Sequence, residues 1–181
     1  MVAKLSWAWK CRAAYDRAVE LDPNNAAYHW SRLGFFCVAP RVAGGGDEKA
    51  AAEAEAIRRL DAVAGRIAFA TLYLAEKKFD LAFAQVDALA RERPDDFFAL
   101  YHVGRCAALS GQQLERGRAA LEHCLALPAP PGEGMPTRAA VHYRLANILE
   151  KAGEAAAAQA EYAAARAEDP DFRPAKIALK G

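Results

Sequence analysis

The chain has 181 residues, with 24 Lys plus Arg against 23 Asp plus Glu and a formal net charge of +1. That balance gives no overall field to draw in nucleic acid or an anionic membrane, which argues against non-specific binding to either. Alanine supplies 45 residues; it loses no side-chain entropy on entering a helix, and β-branched residues are few, so the composition predicts helices and no sheet.

The start, MVAKLSWAWKCRAA, has its apolar run broken by Lys10, so no signal-peptide core is expected. CRAAYDRAVELDPNN then reads as a helix closed by Pro23, because proline can neither donate the next hydrogen bond nor leave its predecessor comfortably helical. HWSRLGFFC (29–37) opens the following helix with Trp30 and the pair Leu33-Gly34. APRVAGGGDEKAAAEAEAIRRL (39–60) reads as a flexible glycine-rich loop before a helix that lacks both an aromatic and a closing proline. IAFATLYLA (67–75) carries Phe69-Ala70 and Tyr73 and falls short of the roughly 18 to 20 apolar residues of a membrane span. A segment with Ala82 and Val86 follows, up to Pro94. Val103-Gly104, the turn SGQQ (110–113) and Leu121 make the next helical pair, and LPAPPGEGMPTR (127–138) lengthens the connection after it. Leu145-Ala146, the turn AGE (152–154), Ala158, Tyr162 and Pro170 complete another pair, with Gly111 and Gly153 suited to left-handed helix ends. DFRPAKIALK, with Pro174 at a helix start, reads as a terminal helix.

The bulky-small pairs repeat. Gly34, Ala70, Gly104 and Ala146 are spaced by 36, 34 and 42 residues, and Pro23, Pro94, Pro128 and Pro170 by 71, 34 and 42. Both series fit one period of 34 with short insertions. The small residues are expected to let a partner helix approach closely. With Trp30, Leu33, Gly34 and Cys37 in one unit and Leu145, Ala146, Ala158, Tyr162, Ala165 and Pro170 in another, the chain resembles a tetratricopeptide repeat (TPR) protein. The resemblance implies an all-α, right-handed α-solenoid of stacked antiparallel helix hairpins, in a single repeat domain over 1–181. Its parts would be the second helix of a partial repeat (1–25), a divergent repeat (26–62), repeats over 63–94, 95–128 and 137–170, and a capping helix (171–181). Alanine-rich composition with such loops resembles bacterial members.

At about 100° per residue, side chains six and three before each small residue, and one, four and five after it, share one arc of the first helix. In TPR proteins that arc lines a concave groove for extended peptides or partner segments. Carried over, it gives Tyr28, Phe35, Ile67, Thr71, Leu74, Phe98, Tyr101, Arg105, Leu109, Tyr143, Asn147 and Lys151 as groove residues. Arg105 and Lys151 are expected to pair with an acidic group and Asn147 to bond a peptide backbone. The competing reading packs Tyr28, Ile67 and Phe98 between neighbouring repeats. The Lys/Asn carboxylate clamp of chaperone-tail TPR domains is matched only at Asn147.

Four cysteines lie outside any ligand spacing and read as small buried thiols. His102 and His142 fall on first helices of successive units, and the four histidines read as structural or solvated. Glu53, Glu55 and Asp61 read as a solvated helix face. No phosphate-cradling, zincin or nucleophile-elbow motif is present, so no metal, cofactor or catalytic residue is assigned. The expected function is a non-catalytic protein-interaction scaffold with a protein or peptide partner, soluble and cytoplasmic rather than exported. The alternatives are a structural or self-associating module joining through an uncapped N-terminal end, and, more remotely, a metal-dependent enzyme.

Overall fold

Helix ends come first, because they set what can pack. The computed structural model describes residues 2–132 and 134–178 and contains, among them, ten α-helices, one 3-10 turn and no strand. Two compact units, Met1–Gln85 and Val86–Gly181, divide the chain.

The first unit holds α1 (Val2–Leu21), α2 (Ala26–Val38), the 3-10 turn Arg41–Ala43, α3 (Asp47–Leu60), α4 (Ala62–Ala75) and the start of α5 (Phe79–Glu92). Asn25 begins α2 by accepting from the Ala27 amide. Asp61 ends α3, its amide bonding the Ile57 carbonyl, and starts α4, its carboxylate accepting from Val63 and Ala64 at 2.7 and 2.9 Å. Asp61 therefore takes the role that a closing proline has elsewhere; it is exposed, as expected of a solvated acid, and caps the helix as well. Each of α1 to α3 packs on its successor, and α2 also meets α4. Leu33 and Phe36 on α2 pack against Ala50, Ala54 and Ile57 on α3 and Ala68 and Leu72 on α4. The helical spacing of Ala50, Ala54 and Ile57 makes one apolar stripe, whose alanines leave room for the bulk of α2.

Two expectations change here. Gly34 is exposed, and a Cβ on it would meet nothing within 4 Å, so it is not where helices approach. The tight crossing of α3 and α4 lies at Gly65, where a Cβ would sit 2.5 Å from Arg58 Cα. The triple glycine is a built turn and not a flexible loop: Gly44 has φ 90°, Gly45 is buried against the Ala39 carbonyl, and Gly46 donates to Phe36 O at 3.2 Å. Only glycine fits a backbone approach this close.

The second unit holds the rest of α5, α6 (Phe97–Ser110), α7 (Leu114–Ala126), α8 (Arg138–Lys151), α9 (Ala155–Glu168) and α10 (Arg173–Ala178). Asp96 caps α6 through the Ala99 amide at 2.8 Å, and Thr137 caps α8 through the Ala140 amide at 3.2 Å. Gly111 and Gly153 take left-handed φ of 73° and 84° at the turns after α6 and α8. The hairpins α6/α7 and α8/α9 are the most heavily packed pairs of the unit, with α6, α7 and α8 in mutual contact. Gly104 of α6 lies directly under the fully buried side chain of Leu121, and Gly117 of α7 under Ala107. Ala146, Ala165 and Tyr162 are buried as well. Helix α10 packs on α9 and buries Ala175; the last three residues of the expected capping helix, 179–181, lie outside the described residues.

The two glycines give opposite predictions. Gly104→Ala drives a methyl into Leu121 and should destabilise by about 1–3 kcal/mol, whereas Gly34→Ala, helical and with open space around the new methyl, should stabilise by roughly 0.5–1 kcal/mol. Urea denaturation of both variants is the check; shifts of the same sign would refute the packing account.

Candidate functional site

On α2 and α4 of the first unit the predicted face is mixed in exposure. Tyr28 is 37% exposed, Phe35 and Leu74 are half-buried, and Ile67 is 3% exposed. Phe35 stands edge-on to Tyr15 and Phe36, with centroids 6.1 and 5.8 Å apart. The Thr71 hydroxyl donates to the Ile67 carbonyl of its own helix at 2.8 Å.

The second unit assembles a denser face from α6 and α8. Phe98 and Tyr101 both meet the ring of His102 in edge geometry, at 4.5 and 5.1 Å. Tyr101 is buried, Arg105 half-buried, and Leu109 and Lys151 exposed. Burial first, then the guanidiniums of Arg105 and Arg144, hold His102 well below the usual histidine range, so its ring is neutral at pH 7. Burial and the neighbouring Arg144 also lower Arg105. On α8, the Arg144 guanidinium lies over the Tyr143 ring at 5.3 Å, and Tyr143 packs against Tyr162 and Phe172. Asn147 is spent inside the unit: its amide donates to the Tyr162 hydroxyl at 2.9 Å and its carbonyl oxygen receives Arg144 at 3.5 Å. The Tyr162 hydroxyl donates onward to Glu150 at 2.7 Å, and burial with that carboxylate pushes it up to about 12. Two cations, an unionised imidazole and three aromatic rings thus share the α6/α8 face, chemistry suited to holding a carboxylate beside an apolar side chain.

A polar cluster in the first unit escaped the sequence reading. Glu53, expected to face solvent, is 3% exposed. It accepts from His29 Nδ1 at 2.8 Å and from Arg32, while His29 Nε2 lies 2.9 Å from the Pro23 carbonyl and Arg32 reaches Asp16 at 3.5 Å. The signal was present in the helical period. His29, Arg32, Leu33 and Phe36 form one stripe on α2, and Ala50, Glu53, Ala54 and Ile57 the facing stripe on α3. Glu55 does face outward, bonded to Arg58 at 2.9 Å.

The remaining histidines are engaged locally. His142 bonds Glu161 at 2.6 Å and His123 lies 3.3 Å from Asp95. Among the described residues no group of three or more His, Cys, Asp or Glu is placed to hold a metal ion, and no helix is long and apolar enough to cross a membrane. The cysteines are free; Cys106 and Cys124 are buried, and Cys11 and Cys37 half-buried. Burial pushes Cys37 and Cys106 up to about 11 and Cys124 to about 12.

Two solved structures share this architecture. TTC0263, a thermophilic TPR protein in Thermus thermophilus, superposes with a TM-score of 0.63 at 17% identity, over 90% of this chain and 84% of its own. YrrB, a TPR protein with an unusual peptide-binding site, gives 0.56 at 19% identity, over 99% and 86%. No protein-family model matches the sequence, and no curated protein matches it. The fold is therefore that of TPR proteins, an all-α arrangement of stacked antiparallel helix hairpins.

Removing the Glu53 carboxylate leaves His29 and Arg32 buried without their acceptor, so Glu53→Ala should cost about 3–5 kcal/mol. Thermal denaturation beside the exposed-position variant Glu48→Ala checks it; equal losses would mean that the cluster contributes nothing. Thiols held this high stay protonated at pH 8, so iodoacetamide should leave Cys37, Cys106 and Cys124 of the native protein unmodified by mass spectrometry and alkylate all three in urea.

Proposed function

We propose that the chain is a non-catalytic protein-interaction scaffold whose first helices bind a peptide or partner segment. The observation that carries this reading is the α6/α8 face, where Phe98, Tyr101 and Tyr143 surround Arg105 and Arg144. Aromatic anchors flanking guanidiniums are the residue types that dominate binding energy at interfaces. Their support from within the unit, through His102, Tyr162 and Phe172, keeps the ordering cost of binding low. The TPR protein YrrB, described as having a peptide-binding site, supports the same direction. Tyr28, Phe35, Ile67, Thr71 and Leu74 in the first unit, and Leu109, Asn147 and Lys151 in the second, extend the reading along the first helices. Of these, Ile67 contributes as packing beneath the face and Asn147 as the tie that fixes Tyr162.

A second reading, self-association through the N-terminal end, draws on Trp7, Trp9 and Val42, which are 71%, 54% and 74% exposed. Light scattering over a concentration series tests it, and a strict monomer throughout would remove it.

For the first reading, a synthetic peptide library is screened on immobilised protein. Arg105→Gln and Tyr143→Ala, each checked for a native circular dichroism spectrum, should weaken captured peptides roughly ten-fold each. Capture that both variants leave unchanged would reject the α6/α8 face.

A further inference from the structure

We propose that the first unit carries a second binding site, a cleft between α3 and α4 that takes an acidic peptide segment bearing an aromatic side chain. The cleft has a volume of about 640 Å³ and is bounded by Arg58, Arg59 and Arg66, with Phe69 and Tyr73 as its floor. Its origin is a substitution in the repeat. Trp30 stands four residues before Gly34, and the matching place before Ala70 holds Arg66. Where α2 has an indole α4 has a guanidinium, and the missing apolar bulk leaves space beside the α3 C-terminal turn.

Two exposed guanidiniums, Arg58 and Arg59, stand beside one carboxylate there, Glu55. Glu55 pairs closely with Arg58, through contacts of 2.9 Å, and more loosely with Arg59, at 3.6 Å. Among the described residues Arg59 reaches nothing else, and its side chain is 77% exposed. Its planar fork of donors suits a carboxylate. The floor favours a peptide over a bare anion. The Phe69 and Tyr73 rings are half-buried and tilted at 34°, with centroids 6.0 Å apart, and offer an apolar surface that phosphate cannot use. Tyr73 and Gln85 also line the cleft, and a hydroxyl and an amide there can bond a peptide backbone.

The site is separate from the one in the preceding section and does not rest on it. On α4, Arg66, Phe69 and Tyr73 share one direction, and Ile67, Thr71 and Leu74 point roughly 130° away.

The probe is a fluorescein-labelled peptide of four glutamates around one phenylalanine, with a photo-crosslinking group at its end, followed by fluorescence anisotropy. Wild-type protein should bind it, with affinity falling several-fold as salt rises from about 50 to 500 mM. The double variant Arg58→Glu/Arg59→Glu, exposed at both positions and expected to fold, should lose at least ~ten-fold. The crosslink should map by tandem mass spectrometry to α3, Phe69 or Tyr73. Unchanged binding by the double variant, or crosslinks on α6 or α8, would overturn the proposal. So would an all-glutamate peptide binding as well as the phenylalanine peptide, or displacement by millimolar pyrophosphate, since either marks a plain anion site.

Discussion

Close contact between a small residue on one helix and a larger group on its neighbour is the constraint on which the rest depends. Gly104 beneath Leu121, Gly117 beneath Ala107 and Gly65 against the Arg58 backbone bring helices together at distances a single added methyl would disturb. Ala50 and Ala54 do the same for Leu33 and Phe36. These contacts also fix the candidate sites. Tyr101 and Arg105 flank Gly104 in sequence, so the roll of α6 that seats Leu121 also decides which way they point. Likewise, Gly65 sits next to Arg66 and holds α4 against the part of α3 that supplies Arg58 and Arg59.

Much of this was legible in the sequence because it is local. Left-handed Gly111 and Gly153 after α6 and α8 follow from which residues can take the geometry that relieves orphaned carbonyls at helix ends. What was not legible depends on partners distant in sequence. Gly34 sits where the repeat pattern asks for a small residue, yet nothing lies over it; a small residue permits close approach without compelling it. The run of three glycines looks flexible until Ala39 and Phe36 are known to close on it. Glu53 looks like its neighbour Glu55 until α2 presents His29 and Arg32 to one side of α3.

Electrostatics separates the two candidate faces. On α6/α8 the cations lie among rings, and the imidazole between them is kept neutral by burial and by their own charge. The polar chain from Arg144 through Asn147 and Tyr162 to Glu150 fixes side chains from α8 and α9 before anything binds. The α3/α4 cleft has the opposite balance. Arg58 and Arg59 stand in water, where attraction to an anion is screened, and orientation must come from the rings beneath them.

Repeat architecture explains how such a cleft can exist without undoing the fold. In stacked hairpins each unit contacts only its neighbours, so a change of bulk at one place is felt locally. Replacing the indole position by Arg66 removes apolar volume from one side of α4, yet Ala68 and Leu72 on its other sides still complete the core with Leu33, Phe36 and Ile57. Arg66 lines the gap that its own substitution opened. A position whose consensus role is packing thereby carries a charge, at the cost of a local void and not of the stack.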